Sequence, residues 1–355
     1  MVAGGTGGHI YPALQLAKTM ENDHEIIFFG NESRLESTII PQAGYNFIPM
    51  ETIAFNGGLL RRVNSLILLY DAYREMKRQL KLIKPDIVIG FGNYVSLPVV
   101  MAAVKLKIKT MIHEQNRLAG SANKFLAKRV DYVVCSHREN LNVFPKGKTS
   151  YLGNPRSSAF KGLKPNKEVL KKYDLKSDIP TILICMGSLG SLTVNKFMID
   201  ALKELDKCSF QVIYVTGKEY YEEFKAEFTD TEKIKIVAYV DMVEVLPNIT
   251  VLVSRAGATT IAEITALGVA AVLIPSPYVP NNHQYYNAKD LVDKNAAILV
   301  KEEDLEVDKF VDLLDKLIKD STELKVLANN AKKLGNVKAG EAIIRLIDKA
   351  VNDEC

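Results

Sequence analysis

Short β-branched and apolar runs alternate with longer stretches of helical periodicity along the whole 355-residue chain. This alternation predicts βαβ units built on parallel sheets. The runs at 1–3, 25–29, 46–50, 86–90, 110–113, 132–135 and 149–152 read as strands of a first half. Those at 181–186, 211–215, 235–238, 251–254, 271–274 and 297–300 read as strands of a second. Between them, residues 153–180 are polar and carry three prolines, which places a domain linker there. The expected domains are 1–155 and 156–335, with the closing helical stretch 336–355 packing back on the first. The opening run, Met-Val-Ala, is short for a buried central strand, which usually needs about five residues. Either the start as given is truncated or the sheet accepts a stub there. Within 57–84, Leu66, Leu69, Tyr73, Met76, Leu80 and Ile83 recur at spacings of three and four, the core-facing stripe of a helix.

Open parallel sheets bind ligands beyond the carboxyl ends of their strands, and the unusual residues of this chain lie directly after the strands. They are "GGTGGH" (4–9), "GFGNY" (90–94), "HEQN" (113–116), "GNPR" (153–156), "MGSLGS" (186–191), "SRAGATT" (254–260) and "PYVPNNHQ" (277–284). The first holds Gly4, Gly5, Gly7 and Gly8 and ends at His9. Such a loop lets backbone N–H groups close on an anion at a helix N-terminus. It is not the dinucleotide fingerprint, because the third glycine position is Ile10, and it lacks the Lys-Ser or Lys-Thr of a P-loop. A tight strand-to-helix turn with a capping histidine accounts for it as well.

The second half repeats this logic in "MGSLGS" around Ser188, where a plain turn is also open. In "SRAGATT" the helix start offers the N–H groups of Gly257, Ala258 and Thr259 to a second anionic group. Glu263, one turn further on, could reach a ribose diol, although a lone helical glutamate is ordinarily a solvated surface residue. Asn282, His283, Gln284 and Asn287 supply a density of hydrogen-bonding groups suited to sugar hydroxyls, with an ordinary polar loop as the rival. The four polar residues of "HEQN" follow a buried-looking run, and their density favours function over structure there.

Composition narrows the class. With 47% apolar and 25% charged residues the chain reads as a globular protein, and no run approaches the roughly 18 apolar residues of a membrane span. No secretory signal is read at the start, because the glycine loop begins almost at the first methionine. Four cysteines and five histidines show no zinc or disulfide spacing, which fits a reducing cytoplasm and argues against a dedicated metal site. Charge is uneven. Residues 1–155 carry 19 Lys and Arg against 12 Asp and Glu, net +7, and the remainder 27 against 30, net −3. The basic half is therefore the one suited to a polyanion or an anionic membrane.

Taken in order, "GGTGGH", "HEQN", "GNP" with an arginine, "SRAGA" with Thr and Glu downstream, and "HQ" followed by "NA" resemble the MurG family of transferases of peptidoglycan synthesis over nearly the whole chain. The resemblance implies an α/β protein of the GT-B glycosyltransferase arrangement, two Rossmann-like parallel-sheet domains facing a cleft. UDP-GlcNAc would sit on the C-terminal domain, and undecaprenyl-diphospho-MurNAc-pentapeptide (lipid I) would meet the N-terminal domain at the cytoplasmic face of the membrane. It further implies that Thr6, Gly7, Gly8 and Asn116 line the acceptor and donor sides. Arg156 and Ser188 would bind the donor diphosphate, Ala258 and Thr259 the helix-terminal anion, Glu263 the ribose, and His283 with Gln284 the GlcNAc hydroxyls. Tyr239 and Met242 flank the backbone that would read uracil. Two loops depart from the family pattern: "MGSLGS" places Leu189 where a polar residue is usual, and "GNPR" sets its arginine directly after the proline.

The implied reaction is an inverting transfer in which the MurNAc 4-hydroxyl attacks the anomeric carbon. His9, an imidazole with an ordinary pKa of roughly 6.5, is the candidate general base, a role worth about 10²- to 10⁴-fold. Without a metal motif, Arg156 and the helix N-termini would carry the leaving charge, so no cofactor or metal is expected. Leu59, Leu60, Ile67 and Leu68, beside Arg61, Arg62, Arg74, Lys77, Arg78 and Lys81, suit peripheral docking on anionic lipid, with about 1 kcal/mol for each basic residue near the surface. Expected partners are UDP-GlcNAc, lipid I, that membrane and other proteins of cell-wall synthesis, but not nucleic acid. A UDP-GlcNAc 2-epimerase-like isomerase or a non-catalytic membrane-associated nucleotide-sugar binder are the alternatives, and the basic apolar face favours the transferase.

Overall fold

The structure, a computed structural model, describes residues 1–53, 59–166, 168–187 and 190–352, with 59–63 described by backbone alone. The chain forms two compact units, Met1–Ala159 with Asn336–Cys355, and Phe160–Gly335. Arg156, assigned to the second domain from sequence, therefore lies in the first.

The first unit contains strands β1 (Ile27–Asn31), β2 (Asn46–Met50), β3 (Ile87–Gly90), β4 (Lys109–Glu114), β5 (Tyr132–Cys135) and β6 (Thr149–Tyr151). All pairings are parallel. Val2 bridges Phe29 on one side and Gly90 on the other, so Met1–Ala3 is a stub at the centre of one sheet ordered β2-β1-stub-β3-β4-β5-β6. Its polar groups are used on the β3 side: Val2 N–H donates to Ile89 O at 2.8 Å, and Phe91 N–H donates to Val2 O at 2.9 Å. In chain order this is the doubly wound pattern, which reverses direction between the stub and β3, and that reversal is where such sheets bind ligands.

Helix Gly7–Met20 follows the stub and buries Ile10, Ala13, Leu16, Ala17 and Met20, the spacing of a single helix face. The C-terminal helix Ala339–Asn352 joins that same core through Ile343 and Ile347. Its start is tied down by Gly340 N–H donating to Ser158 Oγ at 3.0 Å and by Asn336 Nδ2 donating to Leu152 O at 2.9 Å.

Helix Leu59–Ile83 packs on helix Ser96–Leu106 through Ala72, Met76 and Leu80. Leu66, expected to face the core, is 56% exposed, while Ser65 is fully buried. The inward face runs Ser65–Leu69–Ala72–Met76–Leu80. A serine occupies the inward position, and the neighbouring leucine imitated the period. Leu66, Ile67 and Tyr70 thus form an exposed apolar group, while the side chains of Leu59, Leu60, Arg61 and Arg62 lie outside the described residues.

The second unit contains β7 (Thr181–Cys185), β8 (Gln211–Val215), β9 (Ile234–Val237), β10 (Val251–Ser254), β11 (Ala270–Leu273) and β12 (Ile298–Leu299). They form one parallel sheet ordered β9-β8-β7-β10-β11-β12, the nucleotide-binding order with its switch point between β7 and β10. The strands β7 and β8 are buried at every position, as a central parallel strand covered on both faces must be. The loops carrying "MGSLGS" and "SRAGATT" leave the two strands that flank this switch point.

Candidate active site

In the first unit the glycine loop is fixed from below by a carboxylate. Glu36, fully buried, accepts Gly5 N–H through Oε2 and Asn31 N–H through Oε1, each at 3.0 Å. A Cβ on Gly4 would collide with this carboxylate, and one on Gly5, whose φ is +85°, would collide with the Asn93 amide. The first two glycines therefore serve close packing. Gly8 is different, because a Cβ there would meet nothing nearer than Thr6 Oγ1 at 3.5 Å. Thr6 is the N-cap residue of helix Gly7–Met20 but its side chain makes no cap bond; the hydroxyl instead lies 3.1 Å from His9 Nδ1. The first-turn amides thus keep no side-chain cap, which is the arrangement an anion needs. His9 sits beside the other loop at the switch point, since a Cβ on Gly92 would lie 3.5 Å from His9 Cδ2.

The first three side chains of "HEQN" are tied into the architecture of the first unit. His113 is buried, with Nε2 3.0 Å from Gly153 O, and burial pulls its pKa down to about 4. Glu114 accepts Asn116 N–H, Gly120 N–H and Asn123 Nδ2 at 2.9–3.0 Å. Gln115 Nε2 donates to Phe91 O at 2.9 Å. These side chains fasten the loops after β3, β4 and β6 to one another. Asn116 remains partly accessible, its carbonyl taking Asn140 Nδ2 at 2.9 Å. The Arg156 guanidinium lies 5.6 Å from the centre of the Tyr11 ring on helix Gly7–Met20, within cation–π range.

In the second unit Ser188 and Leu189 lie outside the described residues. Around them Gly187 and Gly190 both have positive φ, +88° and +74°, and a Cβ on Gly190 would fall on the Thr216 carbonyl. Ser191 then caps helix Leu192–Leu205 in position only, since its side chain makes no cap bond. Cys185, at the end of β7, has its thiol pushed up to about 11 by burial, so it stays neutral beside the loop.

Helix Ala258–Leu267 starts at Gly257, also without a side-chain cap. Thr259 Oγ1 is buried there with no hydrogen-bond partner among the described residues. Glu263 is buried within the same helix rather than solvated. Helix His283–Val292 is locked to the neighbouring loops: Gln284 Oε1 accepts Ser276 N–H at 2.9 Å, Asn287 Nδ2 donates to Ala256 O at 3.1 Å, and His283 Nδ1 lies 2.9 Å from Pro280 O. Tyr239 is half exposed, with Lys218 Nζ 5.7 Å from its ring centre. Met242 begins the short helix capped by Asp241, which accepts Val243 N–H at 2.9 Å.

Three participants escaped the sequence reading. Glu36 had no local signal, because its partners Gly5 and Asn31 come from other elements. Arg255 stood inside a recognised motif without being singled out. Glu302, in an acidic run that looks like solvated surface, forms a buried ion pair with Arg255 at 2.5 Å.

Residues 1–135 match the model of the glycosyltransferase family 28 N-terminal domain, and residues 181–344 that of the glycosyltransferase family 28 C-terminal domain. A relative from Limosilactobacillus reuteri subsp. reuteri (strain JCM 1112) is 39% identical over 360 residues, which take in 99% of this chain and 97% of that one. It is named UDP-N-acetylglucosamine--N-acetylmuramyl-(pentapeptide) pyrophosphoryl-undecaprenol N-acetylglucosamine transferase. The crystal structure of Acinetobacter baumannii MurG superposes with a TM-score of 0.77 at 26% identity, covering 98% of both chains. A putative UDP-N-acetylglucosamine 2-epimerase from Listeria monocytogenes shares the fold, with a TM-score of 0.71 at 12% identity over 99% of this chain and 96% of that one.

Proposed function

Because this chain belongs to the MurG family within glycosyltransferase family 28, we propose that it transfers N-acetylglucosamine from UDP-GlcNAc to the MurNAc 4-hydroxyl of lipid I, yielding lipid II and UDP. The observation that carries this reading is 39% identity to a named transferase over 99% of the chain. The two switch points add chemical support, since each presents a helix N-terminus without a side-chain cap.

His9 is the proposed general base. The Thr6 hydroxyl 3.1 Å from its Nδ1 orients the ring, and Nε2 would take the proton of the attacking hydroxyl. Thr6, Gly7, Gly8 and Asn116 would hold the acceptor side. On the donor side the leaving diphosphate would be stabilised by the first turns of helices Leu192–Leu205 and Ala258–Leu267, by Ser188 and by Arg156, acting as preorganised donors. Ala258 and Thr259 offer an amide and a hydroxyl at that second helix start. Glu263 would take the ribose diol, His283 and Gln284 the sugar hydroxyls, and Tyr239 to Met242 the uracil. Transfer would need no divalent cation.

Among the described residues no helix is long and apolar enough to cross a membrane. Leu66, Ile67 and Tyr70, exposed beside Arg74 and Arg78, would rest on anionic lipid as a peripheral contact at the cytoplasmic face.

The test is an incubation of labelled UDP-GlcNAc with a lipid I analogue and a chelator. Disaccharide–lipid product is expected, and His9→Ala should lower turnover by about 10²-fold or more while keeping UDP affinity. Epimerised nucleotide sugar formed without acceptor, or a His9→Ala enzyme with unchanged turnover, would refute the assignment of reaction or of base respectively.

A further inference from the structure

One buried ion pair of the second unit has no part in the donor site proposed above. The Arg255 and Glu302 side chains retain only 8% and 10% of their exposure. A guanidinium in such a place is tolerated only when its donors are matched. Here Nη2 meets Glu302 Oε2 at 2.5 Å and donates to Ser191 Oγ at 2.8 Å, and Nη1 donates to Ile274 O at 3.2 Å. The other carboxylate oxygen, Glu302 Oε1, accepts the Thr193 hydroxyl at 2.6 Å. One ion pair thus joins the ends of β10 and β11, the turn Glu302–Asp304 that follows β12, and the first turn of helix Leu192–Leu205.

The consequence lies at Ser191. An N-cap serine ordinarily turns its hydroxyl onto the second or third amide of its own helix. This one makes no such bond, because its oxygen is held by Arg255 and lies 3.2 Å from Thr193 Oγ1. Thr193, the other hydroxyl of that turn, is held by Glu302. The two side chains able to cap the helix internally are both drawn aside, and its amides stay open to an anion.

We propose that Glu302 is a positioning residue for the donor diphosphate: without touching substrate, it fixes Arg255 and Thr193 so that the start of helix Leu192–Leu205 remains uncapped. This rests on the reading that the second unit binds UDP-GlcNAc. A merely structural ion pair would support the whole unit and would affect every part of the nucleotide alike. A positioning residue should be felt only by the phosphates.

Equilibrium titration of the full-length protein with UDP and with uridine separates the two. Truncating the Glu302 side chain would leave Arg255 without an acceptor, so Glu302→Gln, which keeps the shape and one acceptor oxygen, is used, beside Thr193→Val at an exposed site. Wild type should bind UDP more tightly than uridine. Glu302→Gln should lose about tenfold in UDP affinity, and Thr193→Val, which unties Glu302 from the helix turn and so loosens the hold of Arg255 on Ser191, about threefold, with uridine affinity unchanged in both; the KM for UDP-GlcNAc should follow UDP affinity. Unchanged UDP affinity in both variants, or parallel loss of UDP and uridine, would overturn the proposal. If Glu302→Gln does not fold, the Thr193→Val pair of titrations decides. Failure of wild type to bind UDP would instead remove the donor site itself.

Discussion

Replacing Gly190 by alanine and comparing it with the same change at Gly187 isolates what the second glycine loop requires. Both residues have positive φ, so each substitution carries the left-handed cost of about 1–2 kcal/mol. At Gly187 that is the whole cost, because a Cβ there meets nothing within 4 Å. At Gly190 the new Cβ would overlap the Thr216 carbonyl oxygen and come within 3.1 Å of Tyr220 Cδ2. An ordinary carbon–oxygen contact is about 3.3–3.6 Å and the new Cβ would lie 2.1 Å from that oxygen, so loop or strand must retreat by more than about 1 Å. That oxygen also accepts Asn195 Nδ2 at 3.2 Å, and Asn195 Oδ1 in turn accepts the buried Tyr214 hydroxyl at 2.5 Å. Disturbing a buried pair of this kind adds about 1–3 kcal/mol. Gly190→Ala should therefore cost about 2–5 kcal/mol and lower the calorimetric transition of the second unit about twice as far as Gly187→Ala, at about 2–4 °C per kcal/mol. It should also weaken UDP binding, since the loop leads into helix Leu192–Leu205. Equal destabilisation by the two variants would refute the close-approach argument.

Two further outcomes follow from burial and exposure. Because burial holds the His113 imidazole at about 4, below its ordinary 6.5, the unfolded chain binds a proton between those values that the folded chain refuses. Stability is then complete above about pH 6.5 and declines as pH falls toward 4, by up to about 3 kcal/mol; melting curves across that window should flatten in His113→Gln, which can still donate to Gly153 O, and an unaltered slope would exclude His113 as the cause. The double variant Leu66→Glu, Ile67→Glu should lose about tenfold or more in affinity for phosphatidylglycerol-containing vesicles, while turnover of a water-soluble acceptor stays at the wild-type level; vesicle flotation equal to wild type would assign the membrane contact elsewhere.

The strands were readable because parallel strands covered on both faces are continuous apolar runs, as in β7 and β8, and their loops stood out because polar and glycine residues cluster after them. Helix faces were less secure. Ser65 occupies an inward position, and only tertiary packing reveals that Leu66 beside it points outward. The partners of "HEQN" were hidden for a related reason: His113, Glu114 and Gln115 bond to Gly153, Gly120, Asn123 and Phe91, which lie apart in the chain. Glu36 and Glu302 were invisible because a carboxylate that serves a backbone or guanidinium from another element leaves no periodic mark. What sequence supplied at the site was the set of residue types at the switch points. What it withheld was the scaffolding behind them.

The return of helix Ala339–Asn352 to the first unit has an evolutionary corollary. The chain leaves that unit after Ala159 and re-enters it at Asn336, and both crossings are stapled to the same patch through Leu152, Ser158, Asn336 and Gly340. The second unit is thus spliced into its host as an insert with adjoining entry and exit points. Recombination could exchange such a cassette while the host unit kept its own core.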